Sequence, residues 1–145
     1  MKKIITFIII LLPWFLSSFV GFNNFFNIIY TPSFTPPKIF FPIIWTILYI
    51  LIAISIFIVR KETNKKYLII LSINYIFNQL YTFIFFKLNN LFLSFLDCFI
   101  IMITAFILFF ETKKINKISA FFLIPYVLFS IFASVLSFTI YIMNI

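Results

Sequence analysis

Few side chains in this sequence have the chemistry needed for catalysis or for binding a metal. There is no histidine, which excludes histidine-based metal sites and histidine-dependent catalytic triads. The acidic residues are Glu62, Asp97 and Glu111, and Cys98 is the one cysteine, so no disulfide can form within the chain. No nucleophile–base pair is evident. The residue types alone therefore identify no catalytic site.

Asp97 is the one charged residue inside a long hydrophobic segment. Because a carboxylate in lipid is costly, such a residue is a functional candidate by default. It could be the coupling group of a transporter for ions or small lipophiles. It could also form a structural ion pair with Lys87 across a short turn, and the sequence favours this second interpretation.

A second group of polar side chains follows a helical period in the third hydrophobic segment. Asn74, Asn78, Tyr81, Thr82 and Phe85 recur at spacings of three or four, which places them on one face of a helix. The amides could hydrogen-bond neighbouring helices, as is common in membranes. The same face could instead form one wall of a ligand cavity, and the spacing alone does not separate the two interpretations.

The composition indicates that lipid is the solvent around these side chains. Of the 145 residues, 65% are hydrophobic, against roughly 45–50% in ordinary soluble proteins. The net charge of +8 does not indicate nucleic-acid binding, because the basic residues lie between apolar segments rather than on one soluble face. The partner that the composition indicates is the lipid bilayer.

Five segments are apolar over about 20 residues, the length that crosses a bilayer. They are approximately 4–22, 40–59, 67–86, 91–110 and 118–142. The sequence therefore predicts an all-α integral membrane protein, a bundle of five transmembrane helices in a single domain over 1–145. The last three joints are short, which predicts that sequential helices are antiparallel neighbours. The first connection, 23–39, is long and irregular because it contains three prolines.

The basic residues predict the orientation of this bundle. With five spans, nine lysines and arginines lie on the side of the N-terminus, and only Lys38 and Lys87 lie on the other. The positive-inside rule then places the N-terminus in the cytoplasm. We expect a bacterial plasma membrane, with a mitochondrial membrane as the alternative. The first segment also resembles a signal peptide, but its length and the lack of a clear cleavage site favour a retained helix.

Three blocks of sequence carry a family pattern. They are TPSFTPPKIFFPIIWTILY at 31–49, NQLYTFIFF at 78–86, and LIPY at 123–126 followed by Phe129, Ala133 and Asn144. In this order they resemble the TspO/MBR family, the tryptophan-rich sensory proteins that include the mitochondrial translocator protein. The resemblance covers most of the chain from residue 25 onward.

The resemblance implies a five-helix bundle whose first loop covers a pocket for tetrapyrroles and other flat lipophilic ligands. Carried over residue by residue, it implies a pocket formed by Phe26, Pro36, Trp45, Asn78, Tyr81, Phe129 and Ala133. It also implies a porphyrin such as protoporphyrin IX or heme as ligand, with a sensory or regulatory role and no required cofactor. Members of the family are often homodimers, so a homodimer is possible here.

This chain departs from the family at its aromatic positions. Tyr81 and Phe129 stand where the pattern has tryptophan, and the sequence retains only Trp14 and Trp45. Some relatives promote light-dependent porphyrin breakdown through pocket tryptophans, so this activity is an alternative function. Because Phe129 lacks an indole, we expect binding without turnover.

Overall fold

The computed structural model describes residues 2–20 and 30–145, and these form helices joined by loops, without a strand. The elements are α1 (Lys2–Leu11), a 3-10 segment (Leu12–Val20), α2 (Phe40–Val59), α3 (Lys65–Phe86), α4 (Leu91–Ile115) and α5 (Lys117–Met143). With α1 and the 3-10 segment counted together, five helices of the described chain are long and apolar enough to cross a membrane. The predicted five-span all-α fold is confirmed.

The first span differs from the prediction of one continuous helix, because it changes to 3-10 geometry around Pro13. Proline has no N–H and clashes with the preceding turn, so α-helical hydrogen bonding is interrupted there. Side chains of α3 form hydrogen bonds with some backbone groups of the 3-10 segment. The Ser17 N–H donates to Gln79 Oε1 at 2.8 Å, and Gln79 Nε2 donates to the Trp14 carbonyl at 3.3 Å. The Tyr75 hydroxyl donates to the carbonyl of Pro13 at 3.0 Å.

The joint between the last two helices is shorter than the predicted 111–117. Helix α4 runs on to Ile115, and Asn116 alone separates it from α5. The charged residues there are good helix formers, so the helix continues past its apolar part. Asn116 caps both helices: its N–H donates to the Thr112 carbonyl at 2.8 Å, and its Oδ1 accepts from the Ser119 N–H at 2.9 Å.

The main helix contacts form a ring in the order α1, α2, α5, α4, α3, which the 3-10 segment closes by packing against α3. The prediction of sequential neighbours therefore holds for α3, α4 and α5 but is wrong for α2 and α3. Helix α2 packs mainly against α5 because small residues allow their close approach. At this contact Ser119 Oγ donates to the Ser55 carbonyl at 2.8 Å.

Polar contacts tie the helices at both ends of the bundle. At one end, Glu111 accepts from Lys66 at 2.8 Å and from Lys114 at 2.7 Å. At the other end, Asn144 Nδ2 donates to the Tyr30 carbonyl at 2.8 Å, and Asn144 Oδ1 accepts from the Tyr30 N–H at 3.2 Å. The end of α5 and the first loop thus lie on the same side. Which side faces the cytoplasm stays a prediction.

Candidate functional site

A cavity of about 470 Å³ lies between α2, α3, α5 and the 3-10 segment, at the end of the bundle where the first loop lies. It exists because α2 and α3 pack mainly against other helices. Aromatic side chains form a large part of its wall. They are Phe15, Phe41, Trp45, Tyr49, Tyr81, Phe85, Phe86 and Phe129. Such an apolar wall with a few polar groups is typical of small-molecule sites.

The structure brings five of the sequence-predicted site residues to this cavity. They are Trp45, Asn78, Tyr81, Phe129 and Ala133. Pro36 is half-buried but does not line the cavity, although its neighbour Thr35 does. Proline has no side-chain donor, so its contribution is to fix the backbone of the loop. Phe26 lies outside the described residues.

The aromatic side chains of α2 and α5 meet at defined angles. The rings of Trp45 and Phe129 are 5.4 Å apart between centroids and nearly perpendicular, at 88°. Trp45 also lies 5.5 Å from Tyr49, one turn along α2, and Phe15 meets Tyr49 edge-on at 5.5 Å. These rings present both faces and edges, which suits a flat conjugated ligand because aromatic pairs prefer offset or edge-on contacts.

A chain of hydrogen bonds runs from the cavity wall into the bundle. The Tyr49 hydroxyl donates to Asn78 Oδ1 at 3.0 Å, and Asn78 Nδ2 donates to the Tyr126 hydroxyl at 3.3 Å. Tyr126 in turn donates to Asn74 Oδ1 at 2.8 Å, and Asn74 Nδ2 donates to Thr104 Oγ1 at 2.8 Å. Asn74 is fully buried and does not line the cavity, so its amide connects helices.

Asn78 fits both interpretations that the sequence left open, a hydrogen bond between helices and a place in the cavity wall. It connects α2, α3 and α5 through Tyr49 and Tyr126, and it also lines the cavity. A primary amide has two N–H donors, so Asn78 has a second N–H besides the one that goes to Tyr126.

Several cavity residues were missed by the sequence-based site. Tyr49 shares a helix face with Trp45, four residues earlier, so its spacing was a usable signal. Ser17 lines the cavity because the 3-10 segment turns it inward, and its Oγ lies 3.4 Å from the Tyr49 hydroxyl. Since the Tyr49 proton goes to Asn78, Ser17 is the donor. Thr35 and Lys38 reach the cavity from the first loop.

Asp97 does not form the predicted ion pair with Lys87. Its side chain is 3% exposed, and neither carboxylate oxygen has a hydrogen-bond partner among the described residues. Asp97 lies seven residues beyond the Asn90 N-cap, about 10 Å along α4, whereas Lys87 is exposed where α3 ends. Asp97 does not line the cavity but lies within electrostatic range of Tyr81, which does.

In residues 2–20 and 30–145, the acidic and cysteine side chains form no group of three that could hold a metal ion. The ion pairs of this part of the chain are those of Glu111, at the opposite end of the bundle from the first loop. The chemistry offered at the cavity is therefore that of aromatic contact, hydrogen bonding and one ammonium group.

Comparison with known proteins agrees with this architecture. The TspO/MBR family model matches residues 4–143. The chain is 40% identical over 116 residues to the tryptophan-rich protein TspO of Bacillus cereus, covering 78% of this chain and 76% of that protein. It is 35% identical to the membrane protein YtaB of Bacillus subtilis, with both chains covered completely. From the family match over nearly its whole length and from its membrane-spanning helices, this chain belongs to the TspO/MBR family of integral membrane proteins.

Proposed function

We propose that this protein binds porphyrins or other flat lipophilic ligands in the aromatic cavity and has a sensory or regulatory role in a bacterial plasma membrane. The observation that carries the proposal is the aromatic wall of Trp45, Tyr49 and Phe129 around a cavity of about 470 Å³. Ligand pockets generally occupy about 300–1,000 Å³. The match to the TspO/MBR family supports the same assignment, as does the similarity to a relative named tryptophan-rich protein TspO.

The residues of the cavity supply both affinity and orientation. Each favourable ring–ring contact contributes about 0.5–1.5 kcal/mol beyond the burial of apolar area. Ala133 leaves space for a ring beside Trp45 and Phe129, since all three line the same cavity. The second N–H of Asn78 can fix one acceptor atom of the ligand. These groups recognise a flat shape and a polar edge and do not require a chemical step.

We propose binding without degradation of the porphyrin. Phe129 stands at the cavity wall 5.4 Å from Trp45, and its benzene ring is much harder to oxidise than an indole. The absorbance of bound protoporphyrin under illumination tests this directly. The spectrum should bleach no faster than that of free porphyrin, in the wild type and in Trp45→Phe alike. Faster bleaching in the wild type alone would favour the enzymatic alternative.

The binding test is a protoporphyrin IX titration of the purified protein in a neutral detergent, followed by tryptophan fluorescence. Trp14 lies 5.8 Å from Tyr49, a residue of the cavity wall, so it still reports binding in Trp45→Phe. We expect one-site saturation near micromolar Kd, about −8 kcal/mol. Trp45→Phe should weaken binding about two- to tenfold, the range that one aromatic contact provides.

A steric variant makes this test sharper. Ala133→Phe fills the space beside the aromatic wall and should abolish saturable quenching. Val135→Phe is the matched control, because Val135 lies on the same helix, is 52% exposed and does not line the cavity. It should bind like the wild type. Linear quenching in the wild type, or equal binding by both variants, would contradict the proposed site.

The buried carboxylate of Asp97 supports a second candidate function, transport of a lipophile or ion. An unpaired carboxylate inside the membrane is expensive and commonly marks a proton or ion pathway. This candidate predicts proton-coupled uptake into liposomes that is lost in Asp97→Asn. Uptake that is absent in the wild type, or equal in the variant, would leave binding as the function.

We also propose that the N-terminus lies in the cytoplasm, because nine of the eleven basic residues lie at that end. Glu62 and Lys87 are exposed just outside opposite ends of α3, and each is replaced by cysteine in a Cys98→Ser background. In intact cells, a membrane-impermeant maleimide should label Lys87→Cys and not Glu62→Cys. The reverse pattern would invert the topology.

A further inference from the structure

The described part of the first loop places two side-chain donors at the cavity, Thr35 and Lys38. The hydroxyl of Thr35 is buried and has no hydrogen-bond partner among the described residues. Lys38 contributes an ammonium group, and no acidic side chain is among the residues that line the cavity. The described cavity wall therefore carries positive charge and an unsatisfied hydroxyl at its loop end.

The backbone holds these two donors on consecutive turns. The N–H of Thr35 donates to the carbonyl of Pro32 at 3.0 Å, and the N–H of Phe40 donates to the carbonyl of Pro37 at 2.9 Å. Pro32 is buried, which anchors the first turn, and proline fixes φ at each of its positions. Because both turns are hydrogen-bonded, a ligand that binds their side chains orders little additional backbone.

The two groups have the chemistry of an anion site. A buried hydroxyl without a partner costs free energy that a bound acceptor recovers. An ammonium beside an apolar wall attracts a carboxylate more strongly than it would in bulk water, because the effective dielectric constant is lower there. A planar carboxylate has lone pairs for both donors at once.

We propose that Thr35 and Lys38 form an anion subsite that binds a carboxylate at the edge of the ring ligand. This inference rests on the proposed function and narrows its ligand class to flat lipophilic rings that carry an acidic side chain. The rest of the ring lies deeper, against Trp45, which is five residues into α2 and so about 7 Å along the axis from its first residue. The charged edge then faces the loop end of the bundle, while the ring is surrounded by aromatic side chains.

The test compares protoporphyrin IX, which has two carboxyl groups, with its dimethyl ester, in which both are neutral. Wild-type protein should bind the free acid more tightly than the ester. Lys38→Met should weaken binding of the acid about tenfold and change binding of the ester less than twofold. Thr35→Val, which keeps the shape and removes the hydroxyl, should weaken the acid about threefold and the ester less, because a neutral ester carbonyl is a weaker acceptor than a carboxylate. Lys38→Arg should retain the preference for the acid.

Lys87→Met is the matched control, because Lys87 lies at the same end of the bundle, is exposed and does not line the cavity. It removes the same charge and should leave both affinities unchanged. Comparing variant and wild type on both ligands isolates the interaction between Lys38 and the carboxylate from general effects on the cavity.

The outcomes separate this inference from the proposed function. If acid and ester bind saturably and Lys38→Met weakens neither, or weakens both equally, the anion subsite is wrong while the aromatic cavity still binds porphyrins. If Lys87→Met matches Lys38→Met, the preference is a property of the surface charge and the subsite is again wrong. If neither ligand binds saturably, the proposed function fails and the subsite with it.

Discussion

Replacing Asn74 by leucine should destabilise the bundle without changing ligand affinity. Asn74 is fully buried, and its side chain makes three hydrogen bonds with α4 and α5. Its Nδ2 donates to the Thr104 hydroxyl at 2.8 Å and to the Ile101 carbonyl at 3.2 Å, while its Oδ1 accepts from Tyr126 at 2.8 Å. Leucine has a similar size and can make none of these bonds, so the change removes the polar connection among three helices.

The expected change in the free energy of unfolding follows from the number of hydrogen bonds lost and from their strength in a membrane protein. Interhelical hydrogen bonds in membrane proteins contribute about 0.6 kcal/mol on average, which gives roughly 2 kcal/mol for three. The hydroxyl of Tyr126 loses its acceptor, which adds about 1–3 kcal/mol if it finds no other. The additional apolar contacts of leucine offset about 1 kcal/mol. The expected loss in the free energy of unfolding is therefore about 2–4 kcal/mol.

The assay is reversible unfolding in mixed micelles with increasing denaturing detergent, followed by circular dichroism. Ser72→Ala is the control, because Ser72 is exposed on the same helix and donates only to the Leu68 carbonyl one turn earlier. It should change stability by less than about 0.5 kcal/mol. An Asn74→Leu variant as stable as this control would refute the assignment of a structural role to the buried amide. A loss of porphyrin affinity in folded Asn74→Leu would refute the separation of this residue from the site.

Three further predictions concern other polar contacts. Gln79→Leu removes the partner of the 3-10 segment and should shift the emission of Trp14 to longer wavelength, measured by fluorescence; an unchanged spectrum would show that the segment holds its own shape. Asn144→Ala removes both hydrogen bonds to Tyr30. The loss of about 1 kcal/mol of contact should speed proteolysis of the first loop about fivefold, and an unchanged rate would show that these bonds are dispensable. Asp97→Val replaces an unpartnered buried carboxyl by an apolar group of similar size and should raise stability by about 1–3 kcal/mol, whereas a loss of stability would reveal a partner for the carboxylate.

The fold was predictable from sequence because its main determinants are local. Each span is a run of apolar residues of the length of a bilayer, and such runs have few alternatives to a helix in lipid. The bounds of α2 agree with the predicted 40–59 for this reason. The order of helices around the ring was not predictable in the same way. It depends on which faces fit, such as the contact of Ser55 with Ser119, and side-chain fit between helices is not encoded in hydropathy.

The candidate site was likewise predictable from sequence only where it follows a regular helical pattern. Helical spacing placed Asn78 and Tyr81 on one face, and both line the cavity. The residues from irregular backbone were missed, because neither the inward turn of Ser17 nor the position of Thr35 follows a periodic pattern. The predicted ion pair of Asp97 with Lys87 was also wrong, because the depth of Asp97 in the bundle depends on where α4 begins, which hydropathy does not fix.

The packing of α2 against α5 has a consequence for biosynthesis. During synthesis α2 enters the membrane before α3 and α4, yet its main partner among the later helices is α5. Until α5 arrives, one side of α2 must be covered by lipid or by the insertion machinery. Helix α5, which Asn116 alone separates from α4, is the element that completes the ring. Since Trp45 and Phe129 belong to α2 and α5, the aromatic cavity forms only at this last step of assembly.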